Sequence, residues 1–137
     1  MESGQLQALL NAPSAAVLAV YRADGSVFMS PVWFRSNEES IEIVVAEGDA
    51  KLERLQADSR CIFMAFETVP PFAGMRIEAD ATLTSRGVRD ARLAIASRYL
   101  GTDDGARYAE QRTKPGVRVL LPLPAARTWN LQAILPT

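Results

Sequence analysis

Histidine is absent from this 137-residue sequence, and cysteine occurs once. Without imidazole the chain cannot build the usual zinc sites, a Ser-His-Asp or Cys-His nucleophile system, or histidine ligation of haem iron. Most hydrolytic chemistries are thereby excluded, and an enzyme made of these residues would take its chemistry from a bound cofactor. The lone Cys61 stands in the apolar run Cys61-Ile62-Phe63-Met64-Ala65-Phe66. It reads as a buried, inert thiol, and a disulfide framework within the chain is excluded. An excess of one charge is also lacking: 15 basic residues face 16 acidic ones, and no stretch gathers a block of like charge. Nucleic acid is therefore not an expected partner. No apolar stretch approaches the roughly 18 residues of a membrane helix, and the first residues lack the basic flank and apolar run of a leader. A cytoplasmic protein without a membrane partner is the expectation.

What the chain does contain is 48% hydrophobic residues, enough for a real core, and a length that suits one domain spanning 1–137. A chain this small buries a limited share of its surface, so pairing with a second copy would add burial.

Leu6, Leu9 and Leu10 lie at helical spacing after a possible Ser3 cap, which predicts a helix over 3–12. The apolar run 15–21, the turn dipeptide Asp24-Gly25 and the run 27–34 form a hairpin, with Pro31 marking an edge, a bulge or a break in the second strand. The β-branched alternation of 40–46 predicts a third strand. Leu52 and Leu55 after a plausible Asp49 cap predict two helical turns over 50–57. Strands follow at 61–66, 75–83, 117–123 and 128–131. An amphipathic helix is expected over 88–100, ending at Gly101, with another turn or two in 106–112. About six strands in short meanders predict a mainly β fold, a closed or partly closed antiparallel barrel with peripheral helices, although alternation alone allows a sandwich equally.

Several segments, in order, resemble the pyridoxamine 5′-phosphate oxidase-like proteins, and among them the flavin/deazaflavin oxidoreductases. They are 19–26 with Ser30-Pro31-Val32-Trp33-Phe34; Gly48-Asp49-Ala50-Lys51-Leu52-Glu53-Arg54-Leu55 with Asp58 and Arg60; Pro70-Pro71-Phe72; 96–101; and Arg127-Thr128-Trp129-Asn130-Leu131. No one motif is specific; the order and spacing carry the resemblance. It implies a six-stranded antiparallel split β-barrel of the FMN-binding type, paired as a homodimer with cofactor sites between the subunits. The cofactors it implies are the deazaflavin coenzyme F420 or FMN, with haem in some relatives. F420 leads, because Pro70-Pro71-Phe72 and Tyr99-Leu100-Gly101 resemble the branch in which its use is frequent.

The same resemblance implies the site residues. Ser30, Pro31, Val32 and Trp33 match the strand beside the flavin ring, and Val45, Ala46, Ala50 and Lys51 match the phosphate-binding turn and helix. Trp33 and Trp129 would supply an aromatic wall, or else serve as core or interface residues. Glu47, Asp49 and Glu53 surround Lys51 with acid and oppose a phosphate there. Ala79 stands where relatives usually carry glycine. Arg54, Arg60 and Arg76 are candidates for an anionic tail by their closeness in the chain. No catalytic side chain is assigned and no metal is expected. The reading is a flavin- or F420-dependent oxidoreductase passing hydride to or from a small organic substrate. The alternative is a non-catalytic dimer that binds flavin, haem or another ligand, or a member that has lost its cofactor. A true pyridoxamine-phosphate oxidase is less supported, for want of the dense basic residues that a phosphorylated substrate calls for.

Overall fold

The computed structural model describes residues 3–131 and 133. Four helices and nine strands follow one another as α1(Ser3–Asn11), β1(Ala15–Tyr21), β2(Val27–Pro31), β3(Arg35–Ser36), β4(Ser40–Ala46), α2(Ala50–Ala57), β5(Arg60–Phe66), β6(Gly74–Asp80), β7(Thr82–Thr84), α3(Val88–Leu100), α4(Thr102–Gln111), β8(Gly116–Pro122) and β9(Arg127–Trp129). All described pairings are antiparallel. One sheet runs β2-β1-β5-β6-β9 and the other β3-β4-β8-β7.

Nine strands stand where about six are expected from seven extended stretches, because 75–83 changes sheets and a short β3 forms between the runs expected over 27–34 and 40–46. The run expected over 27–34 pairs with β1 only as far as Pro31, opposite Val17; residues 32–34 are not strand, and β3 follows just beyond them and pairs with β4. Proline has no N–H to extend the ladder, and β2 lies on the sheet edge as Pro31 requires. The stretch 75–83 pairs with β5 up to Asp80, and from Thr82 onward pairs with β8. Such bends make the corners by which two sheets enclose one core. Leu18, Val20, Ile41, Ile43, Phe63 and Ile77 fill that interior, with Phe34 meeting Phe63 edge to face at 5.1 Å. The chain is thus mainly β, a split barrel with peripheral helices.

Local chemistry explains the helices. The Asp49 side chain accepts a hydrogen bond from the Lys51 backbone N–H and caps α2, whose Leu52 and Leu55 are buried. Helix α1 includes Ser3, the residue expected to precede it as a cap. Gly101, with φ of 86°, ends α3 and precedes α4 directly. Helix α4 starts four residues before the expected 106 and passes through Gly105. A β-carbon at Gly105 would lie 2.6 Å from the Ser97 Cα, so the glycine lets the two helices touch backbone to backbone.

Glu42 is a buried charge, satisfied from both sides: Arg35 Nε donates to Oε1 at 2.7 Å and Arg118 Nη2 to Oε2 at 2.5 Å. The triad joins β3, β4 and β8, and Arg118 also donates to the Arg86 carbonyl ahead of α3. Removing one partner from such an arrangement costs far more than the intact arrangement contributes.

Candidate functional site

A cavity of about 350 Å³ opens between the end of β2, strand β4, the start of α2 and the α3–α4 hairpin. Pro31, Val32 and Trp33 form one side, Ala46 and Lys51 another, and Tyr108 of α4 closes a third. Trp33 is fixed by two phenols: the Tyr99 ring stacks on it at 5.1 Å, 9° from parallel, and Tyr108 leans on it at 5.2 Å. Tyr99 is in turn held by its hydroxyl, which donates to the Ser14 carbonyl at 2.9 Å and accepts the Phe34 N–H at 3.4 Å. Burial is the larger influence on that hydroxyl and pushes its pKa upward, against the Phe34 hydrogen bond and the nearby Arg98 charge.

The site residues expected from the sequence therefore divide. Pro31, Val32, Trp33, Ala46 and Lys51 come together on one cavity. Ser30, Val45, Ala50 and Trp129 are not among its lining residues. Val45 alternates with Val44 and Ala46 along β4 and points into the barrel core, and Ala50 is exposed on α2. The Ser30 Oγ is buried without a hydrogen-bond partner. Trp129 lies at the far edge of the five-stranded sheet, its ring flat over Gly74 and its Nε1–H donating to the Phe72 carbonyl at 2.9 Å. Ala79 opposes Cys61 in the β5–β6 ladder and does not line the cavity.

Lys51 is not a free cation. Its ammonium lies 3.0 Å from Asp49 Oδ2, and its backbone N–H donates to Oδ1 at 2.9 Å. Burial opposes ionisation of Asp49, yet these hydrogen bonds and the Lys51 charge outweigh it and hold the carboxyl below its ordinary value.

The other cations of the cavity are Arg92 and Arg112, which sequence reasoning missed. One signal was available: Arg92 precedes Ile95 and Ala96 by three and four positions, and so shares their buried helix face. Arg54, Arg60 and Arg76 are engaged elsewhere. Arg54 donates to the Tyr21 carbonyl, Arg60 pairs with Asp58, and Arg76 lies near Glu78. Apolar walls, a stacked aromatic and three cations against one carboxylate suit a flat ring system carrying an acidic group.

The sequence matches the family described as pyridoxamine 5′-phosphate oxidase over residues 3–130. The chain belongs to that family. Among solved structures, a conserved hypothetical protein from Mycobacterium tuberculosis superposes with a TM-score of 0.82 at 20% identity, covering 100% of this chain and 90% of its own. An F420 reductase gives 0.69 at 19% identity, over 88% and 94% of the two chains. The haem storage protein from Vibrio cholerae gives 0.71 at 13% identity, over 95% and 97%. At these identities the likeness is one of fold. No curated protein matches the sequence. Among the described residues no helix is long and apolar enough to cross a membrane, and no cluster of His, Cys, Asp and Glu suits a metal ion.

Proposed function

We propose that this single-domain split barrel is a cytoplasmic, homodimeric oxidoreductase that holds a flavin-type cofactor in the 350 Å³ cavity, with F420 favoured and FMN the alternative. The observation that carries the reading is the meeting of two stretches far apart in the chain, Pro31-Val32-Trp33 and Lys51, on one cavity with an aromatic wall and cations. The F420 reductase among the similar folds supports the cofactor preference.

The residues present fit such a group. Trp33, held by Tyr99 and Tyr108, would take the ring system; Lys51, Arg92 and Arg112 would face its acidic portion. When bound, the cofactor supplies hydride transfer, which no side chain of this chain can perform. The protein orients the ring, excludes water and holds charge. Tyr108 is the phenol that lines the cavity, so a proton needed there would be held or passed by its hydroxyl or by water.

Pairing with a second copy is part of the proposal. Among the described residues strand β2 has no partner on its outer edge, next to the cavity, and it exposes Val27 and Met29, the latter 67% accessible. An apolar edge strand is a template for another chain, and a partner seated there would also cover Pro31.

The alternative of a ligand-binding, non-catalytic dimer is favoured by the Asp49–Lys51 pair, which weakens one phosphate contact. Haem is the less fitting ligand, since the chain has no histidine and Cys61 is buried.

The test is a fluorescence titration of purified protein with F420 and with FMN, repeated on Trp33→Ala. Saturable binding at micromolar concentration or below, weakened at least tenfold in the variant, supports the reading. Absence of binding by either cofactor would leave the non-catalytic dimer.

A further inference from the structure

A second, larger cavity of about 710 Å³ lies between α3, the end of α4 and the approach to β8. It shares Arg92 and Arg112 with the first cavity, so the two guanidinium groups stand where the cavities adjoin. Arg89 and Lys114 add positive charge to the larger space, and Asp90 and Glu110 oppose it. Together the two cavities present five cations and three carboxylates, a local positive excess in a chain whose net charge is −1.

The five cations are not equivalent. Lys51 is committed to Asp49, whereas neither Arg92 nor Arg112 forms an ion pair with any described residue. Each makes other contacts. Arg92 Nη1 donates to the Arg112 carbonyl at 3.1 Å, tying α3 to the residue that caps α4. The guanidinium of the exposed Arg112 lies 4.3 Å from the centre of the Tyr108 ring, a contact that leaves its charge unneutralised. Gly116 packs close by: a β-carbon there would come within 2.7 Å of the flexible tip of Arg92, Nη2, 3.1 Å of the Val45 carbonyl and 3.3 Å of Val88 Cγ1. Two guanidinium groups with donors not taken up by a carboxylate, on residues that both cavities share, form a receptor for an oxyanion.

We propose that the phosphate or carboxylate of the bound ligand is held by Arg92 and Arg112, not by Lys51, and that the acidic part of the ligand continues into the larger cavity. This deepens the cofactor reading by placing the anion, and assigns the larger cavity to the acidic portion of the cofactor or to an acid-bearing substrate.

The test reads the anion separately from the flavin. Thermal melting is measured in inorganic phosphate against chloride at matched ionic strength, for the wild type, Lys51→Ala and the double variant Arg92→Gln/Arg112→Gln. Phosphate is expected to raise the melting temperature of the wild type and of Lys51→Ala, and to leave the double variant unmoved, while the melting temperatures in chloride stay close. No response in the wild type, a response that survives in the double variant, or one lost in Lys51→Ala would overturn the proposal.

A parallel titration compares FMN with riboflavin, the same ring without phosphate. A preference for FMN of about tenfold, the scale of one charge-assisted hydrogen bond, that disappears in the double variant places the phosphate of the cofactor on the arginines. A preference that persists, with the inorganic phosphate response lost, assigns the arginines to the acid of the substrate. Failure of both flavins with the phosphate response intact rejects FMN and keeps the anion site.

Discussion

Asp49 and Lys51 satisfy each other across the first turn of α2, backbone N–H to Oδ1 at 2.9 Å and ammonium to Oδ2 at 3.0 Å. The carboxylate thus occupies the place at the helix start that a ligand anion would otherwise take.

Replacing Asp49 by Asn keeps a good cap but removes the competing charge. Asp49→Asn is expected to tighten FMN binding by about 1 kcal/mol, roughly fivefold, because it frees the Lys51 ammonium to add its attraction for the anion to that of the arginines. Adding Lys51→Ala then removes that gain, whereas Lys51→Ala alone changes affinity little. A double-mutant cycle by titration checks the coupling.

Gly105→Ala tests the close contact of the helical hairpin. Intrinsic propensity favours Ala by about 1 kcal/mol within a helix, but the new β-carbon would meet the Ser97 backbone at 2.6 Å. Net destabilisation of about 1–3 kcal/mol is expected in urea unfolding. Weakened ligand binding should accompany it, because Tyr108 and Arg112 ride on the displaced helix.

Tyr99 and Asp58 set opposite pH limits. The Tyr99 hydroxyl is pushed above its ordinary value of 10.0 by burial, so the stability it contributes is complete below pH 10 and is lost as pH rises through the folded-state pKa. Hydrogen bonds from Arg60 lower Asp58 to about 2; its contribution is present above pH 3.8 and falls away between there and pH 2. Melting temperatures across pH should show both declines, and Tyr99→Phe should remove the Tyr99 contribution to the alkaline one.

Cys61 is held at a pKa of about 12, by burial first and the Asp80 charge second. Its Sγ faces the Ala79 carbonyl at 3.6 Å. Alkylation at pH 8 is expected to be negligible in the folded protein and rapid in denaturant. Mass spectrometry of iodoacetamide-treated samples distinguishes the two, and fast labelling of the native protein would contradict the packing described.

Local pattern was a sound guide wherever one element answers to its own residues. The apolar run 15–21, the alternation over 40–46, the Asp49-capped helix 50–57 and the helix 88–100 occur where the sequence places them. Resemblance carried the family, and with it the stretches that contain Pro31, Trp33 and Lys51.

The remainder depended on partners distant in the chain. Pro31 announces an interruption locally, but nothing local marks Ala81 as a corner, because a bend between sheets is decided by which strand lies alongside: here β5 and then β8. The helix expected only from 106 begins at Thr102, and Gly105 within it is the contact point of two helices. Arg92 and Arg112 are two charges on amphipathic helices until the hairpin folds over β4 and brings them to the cavity that Trp33 and Lys51 line. Composition and periodicity act through neighbours a few residues apart, and so determined the elements. Long-range packing joins residues that periodicity cannot pair, and it alone decided which cations face the cavity.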